Sequence, residues 1–111
     1  NLIVGNTSRD TGHILENIVF LELIRRGYTV YVGQLAKGEI DFVAEKAGIT
    51  EYYQVSETVL DPNTLNRELA PLVAINVQYP KFLLTLDELN KNANYDGIQQ
   101  RNVLEWLLES C

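Results

Sequence analysis

The stretch YTVYVGQLAKGEIDFVAEKAGITEYYQVS, Tyr28 to Ser56, decides the fold. YTVYVG (28–33) is rich in β-branched and aromatic residues, the types that suit a pleated, half-buried surface. Ala36-Lys37-Gly38 supplies a turn, and EIDFVAE (39–45) then alternates like a strand. Lys46-Ala47-Gly48 is a second turn before ITEYYQVS (49–56). Three short strands with tight turns predict an antiparallel meander.

Upstream, Asp10 followed by TGHILENIVFLELIRRG reads as an N-cap, a long helix and Gly27 at the position just past its end. Arg25-Arg26 in the last turn suits the negative end of the helix dipole. Downstream, Asp61-Pro62 reads as an N-cap with proline at the first helical position, opening a helix to about Asn76 that Pro71 can bend. KFLLTL (81–86) is nearly all apolar, as a central strand must be. DELNKNANYDG reads as a loop, Gly97 to Asn102 as a short strand, and VLEWLLES as a closing helix with Val103, Trp106 and Leu107 on one face. The expected architecture is a single α/β domain over residues 1–111, a mixed sheet flanked by helices.

Composition bounds the function. At 111 residues with 46% hydrophobic content the chain can bury one core. Its formal charge of −6 and scattered cations argue against strong autonomous binding to a nucleic-acid backbone. One cysteine, Cys111, cannot form an internal disulfide, and no apolar run approaches a membrane span, so a cytoplasmic setting without membrane contact is expected. The chain starts with Asn and carries no Met, as expected of a piece of a longer protein or of a processed chain. His13, with one distant Cys and no second His, makes no zinc set and is expected to cap or pack.

Three polar residues fit a plain core badly. At 100° per residue, Val19, Phe20 and Leu23 lie within about 60° of the direction of Glu16, so this carboxylate must reach water, find a partner or bind a cation. Asp41 shares a strand face with Glu39, Val43 and Glu45, opposite Ile40, Phe42 and Ala44. Gln54 shares a face with Thr50, Tyr52 and Ser56, where its amide could serve a neighbouring backbone group. Each alone is ordinary. A helix acid, an Asp on the second strand and Gln54-x-Ser56 on the third could together bring oxygen ligands to one Mg²⁺ or Mn²⁺.

The segments GHILENIVFLELIRRGYTVYVGQL, GEIDFVAE, YYQV, NTLNRELAPL, YPKFLLTLDEL and DGI…NVLEWLL closely resemble a C-terminal domain of unknown function that follows the P-loop domain in a large family of prokaryotic AAA-type ATPases. The likeness runs from Gly5 to Leu108. It implies a PD-(D/E)XK restriction-endonuclease-like αβββαβ core, with an N-terminal ATPase domain as partner. On that pattern Glu16 matches the helix acid, Asp41 the invariant Asp and Gln54 the acid of the (D/E)XK element, which would make these three the catalytic and metal-binding residues. Ser56 stands at the lysine position and carries no charge. The chain lacks GxxxxGK[ST], so it holds no ATP site. The resemblance therefore implies an accessory, catalytically degenerate nuclease-like domain contacting DNA or a protein. Two alternatives stand beside it. One is an active Mg²⁺-dependent deoxyribonuclease with a migrated basic residue, Arg67 or Lys81; the other is a purely structural interaction module.

Overall fold

The computed structural model describes residues 7–35, 38–75 and 78–109, with side chains from residue 11. Cys111 and the turn expected at Ala36-Lys37 lie outside the described residues, as does Asn76, while the helix expected to reach it ends at Val73 with Ala74 as its C-cap. Helix α1 (Thr7–Arg25) leads into strands β1 (Thr29–Leu35), β2 (Gly38–Lys46) and β3 (Ile49–Val55). Helix α2 (Pro62–Val73) and strand β4 (Lys81–Thr85) follow, then β5 (Asn94–Tyr95), β6 (Ile98–Asn102) and α3 (Val103–Leu108). The strands form one mixed sheet in the order β1-β2-β3-β4-β6-β5. The meander is antiparallel, whereas β4 runs parallel to both β3 and β6. KFLLTL is thus central, and its two sides supply both cores, Leu84 to one and Leu83 to the other.

Local chemistry explains the element ends. Beyond α1, Gly27 adopts φ +95, and the N–H groups of Gly27 and Tyr28 donate to the carbonyls of Ile24 and Leu23 at 3.0 Å each. This double closure needs a left-handed residue, which glycine supplies without a Cβ penalty. α1 begins at Thr7, so Asp10 lies inside the helix and does not cap it. An acid suits the positive first turn as well as the cap, so residue type alone did not separate the two. At α2 the expectation holds: Asp61 caps, accepting from the Asn63 N–H at 2.9 Å, with Pro62 next. The β2–β3 hairpin turns through Ala47 (φ 53) and Gly48 (φ 81), two consecutive left-handed residues that match the twist of the strands.

Two cores sandwich the sheet. α1 and α3 cover one face through Leu15, Val19, Leu23, Val103 and Trp106, packed on Phe42, Ala44, Tyr53 and Leu84. α2 covers the other through Leu72, against Ile40, Val59, Leu83 and Ile98. Ile40 therefore does not share a face with Phe42 and Ala44, as strict alternation had implied. Tyr31 pairs with Val43 but Gly33 pairs with Ile40, so two steps on β1 span three on β2. That bulge inserts an extra residue at Asp41–Phe42 and reverses which side each following residue faces. Among the described residues no helix is long and apolar enough to cross a membrane.

Candidate functional site

The bulge sits where β2 and β3 separate. Their ladder is regular from Lys46↔Ile49 to Phe42↔Tyr53 and stops there, as β3 moves over to pair with β4. Two side chains replace the missing backbone pairs. The Asp41 N–H donates to Gln54 Oε1 at 2.7 Å, and the Val55 N–H donates to Asp41 Oδ2 at 2.8 Å. Gln54 Nε2 donates to the Glu68 carbonyl at 3.1 Å and to the Glu39 carbonyl at 3.3 Å. Gln54 is buried, so each of these bonds answers a group that would otherwise lose its hydration unrecompensed. The amide ties β3 to β2 and to α2 at once.

Carboxylates influence one another's charge around this break. Burial pushes Asp41 up to about 6 against the Val55 N–H bond, with the charges of Glu16 and Glu39 raising it further. Burial likewise pushes Glu68 on α2 up to about 7, with Asp41 and Glu16 raising it and Arg67 pulling it down. The charge of Glu16 thus acts on both Asp41 in the β2 bulge and Glu68 on α2. Such a cluster holds protons near neutral pH and exchanges charge with small changes of surroundings.

The sequence-derived residues fare differently. Glu16 is half-buried on the α1 face that carries the buried Val19 and Leu23, and its charge acts on Asp41. Asp41 and Gln54 are brought together, but by hydrogen bonds to each other's backbone neighbourhood. Ser56 lies just past β3, its Oγ donating to the Thr58 carbonyl at 2.9 Å. Arg67 is exposed beside Glu68, and Lys81 opens β4 in register with Tyr52. His13 is exposed on the second turn of α1 and belongs to neither core, so it does not pack as expected. Among the described residues no three of His, Cys, Asp or Glu stand close enough together to hold a metal ion. Gln54 Oε1, one of the oxygens that the sequence pattern offers to Mg²⁺ or Mn²⁺, accepts from the Asp41 N–H.

Glu68 is the site residue that sequence reading missed. Its signal was present: it lies three residues after Leu65 and four before Leu72, on the stripe of α2 that packs on the sheet. The argument that singled out Glu16 applied equally to Glu68.

No family profile matches the chain, and no solved structure matches it. A protein of Haemophilus influenzae described as uncharacterized is 41% identical over 106 residues, covering 96% of this chain. The chain spans about a quarter, 26%, of that relative's length.

Proposed function

We propose that this chain is a catalytically inert, restriction-endonuclease-like accessory domain of a longer AAA-type ATPase, and that it works through protein contact. One observation carries the reading: the residues at the motif positions are spent on structure. Asp41 and Gln54 complete the broken β2–β3 ladder, and the Ser56 hydroxyl closes a local turn at the lysine position. The charges acting on Asp41 are acidic, Glu16 and Glu39, where transition-state stabilisation in phosphodiester cleavage needs a cation. Acids at the break and a net charge of −6 also oppose a DNA backbone.

Protein contact is supported by the outer side of α1. Ile14, Ile18 and Leu21 repeat at four- and three-residue spacing, and Ile14 and Leu21 are 57% and 63% exposed. A helix apolar on both sides is a buried helix in its working assembly. The Haemophilus relative, of which this chain matches only a quarter, has ample further chain to cover such a stripe.

The test is cleavage of linear, branched and single-stranded DNA by the full chain with Mg²⁺ or Mn²⁺, beside Asp41→Ala. No cleavage by either protein is expected. Metal-dependent cleavage that Asp41→Ala abolishes would replace the proposal with an active deoxyribonuclease. Ser56→Lys combined with Gln54→Glu restores the pattern's charges, and activity confined to that double variant would locate the loss at these two positions.

A further inference from the structure

A second polar feature lies beyond the carboxyl end of β4, outside the acid cluster. Asp87 follows β4 and is only 7% exposed. Its Oδ1 accepts from Thr58 Oγ1 at 2.7 Å and its Oδ2 from the Val59 N–H at 2.9 Å. Among the described residues no Lys, Arg or His forms an ion pair with it. The nearest cation in sequence, Lys91, is held by Glu88 and Glu105 at 3.3 and 2.5 Å. A buried carboxylate with one hydrogen bond to each oxygen and no cation beside it keeps an acceptor position on each oxygen.

Asp87 borders an open cavity of about 300 Å³. Val59, Leu60, Leu65 and Leu89 make its walls, with Leu60 and Leu89 largely exposed. Gln100 is fully buried at the same cavity, its Oε1 accepting from the Tyr95 hydroxyl at 2.7 Å. Burial, and then the charge of Asp87, push the Tyr95 hydroxyl above its ordinary range, so that charge is felt across the cavity. Aliphatic walls ending on a paired-oxygen acceptor match a side chain with an apolar stem and a planar, two-pronged cationic head. Guanidinium fits better than ammonium, because its fork addresses both carboxylate oxygens at once and it gives up water more readily. The chain's net charge of −6 favours the approach of a basic segment.

We infer that this cavity is a docking pocket for an arginine side chain of a protein partner, its stem on Leu60, Leu65 and Leu89 and its guanidinium on Asp87. The assignment does not depend on the reading of the Asp41 site.

The test is an NMR titration of the full chain with an acetylated and amidated pentapeptide, alanine-leucine-arginine-leucine-alanine. The same peptide with glutamine at the centre and free arginine serve as the other arms. Saturable shifts are expected at the methyls of Leu60, Leu65 and Leu89 and the ring of Tyr95. The glutamine peptide and the Asp87→Asn protein should each bind at least ~10-fold more weakly. Leu89→Ser, at an exposed position that the fold tolerates, should also weaken binding and stands in if Asp87→Asn does not fold. The pocket assignment falls if no peptide shifts these signals, if both peptides bind alike, or if shifts scatter over the acidic surface. Free arginine binding as tightly as the peptide would overturn the protein partner.

Discussion

Gln54 Nε2 donates to the backbone carbonyl of Glu68 at 3.1 Å, so a single buried amide fastens the third strand to the second helix. The opposite end of the same amide accepts from Asp41, leaving Gln54 as the joint between three elements.

Replacing this joint tests its role. Gln54→Leu leaves the Asp41 N–H and the Glu39 and Glu68 carbonyls without their partner, and should cost about 2–4 kcal/mol in urea unfolding. Gln54→Glu keeps the shape but places an acceptor against two carbonyls. It should be less stable at pH 8 than at pH 5, where protonation restores a donor. Equal stability of wild type and Gln54→Leu would remove the joint.

The acid cluster sets a pH dependence of known sign. Asp41 and Glu68 rise on folding from ordinary values of 3.8 and 4.5 to about 6 and about 7. The folded state therefore holds more protons than the unfolded chain between roughly pH 4 and 7. Stability from these groups is complete below about pH 4 and is lost as pH rises through 6 and 7. Glu68→Gln should flatten that decline and stabilise the protein at pH 8 by about 1 kcal/mol, a figure reduced for solvent screening. Urea midpoints of both proteins from pH 4.5 to 8 give the comparison. Parallel profiles would show that Glu68 carries no such strain.

Arg26 joins the two helices that share a face of the sheet. It pairs with Glu22 at 2.7 Å, donates to the Trp106 carbonyl at 2.7 Å, and lies 4.3 Å from the centre of the Trp106 ring. Arg26→Ala should cost about 2 kcal/mol and shift tryptophan emission to the red, since Trp106 is the single tryptophan. Arg26→Lys retains charge but not the fork, and should recover less than half of the loss. Unchanged emission in Arg26→Ala would show that α3 is held elsewhere.

At Gly27 a Cβ would meet only the Lys46 side chain, no nearer than 3.5 Å, so space is not limiting. The φ of +95 is. Gly27→Ala should cost about 1–2 kcal/mol and Gly27→Asn less, because asparagine tolerates left-handed backbone better. Thermal melts ranking alanine at or above asparagine would contradict the cap.

What was legible in the sequence follows from how local each signal is. The three strands, the Asp61-Pro62 helix start and the Gly27 stop rest on neighbouring residues, and all three appear. The central place of Lys81–Thr85 was readable because an unbroken apolar run has no solvent face. The bulge was not readable, since it arises from the mismatch between Tyr31–Gly33 and Ile40–Val43 on two strands. It moved Ile40 to the other core and left Asp41 at the break. Asp41 and Gln54 were found as a pair, yet their bonding to backbone depends on where β3 leaves β2, a tertiary choice. Glu68 was missed through incomplete use of a rule already applied to Glu16.

The parallel placement of β4 also orders the events of folding. The hairpins of β1, β2 and β3 join near neighbours in the chain, whereas β3 must wait for Lys81 to reach Tyr52 across the whole of α2. During that wait one edge of β3, with Tyr53 and Val55 along it, is an open template. The newly made chain is thus most exposed to pairing with its own kind between completion of the meander and arrival of β4. Docking of α2 through Leu72 on the core that holds Ile40 is the step that brings Lys81 back to Tyr52 and would close this interval.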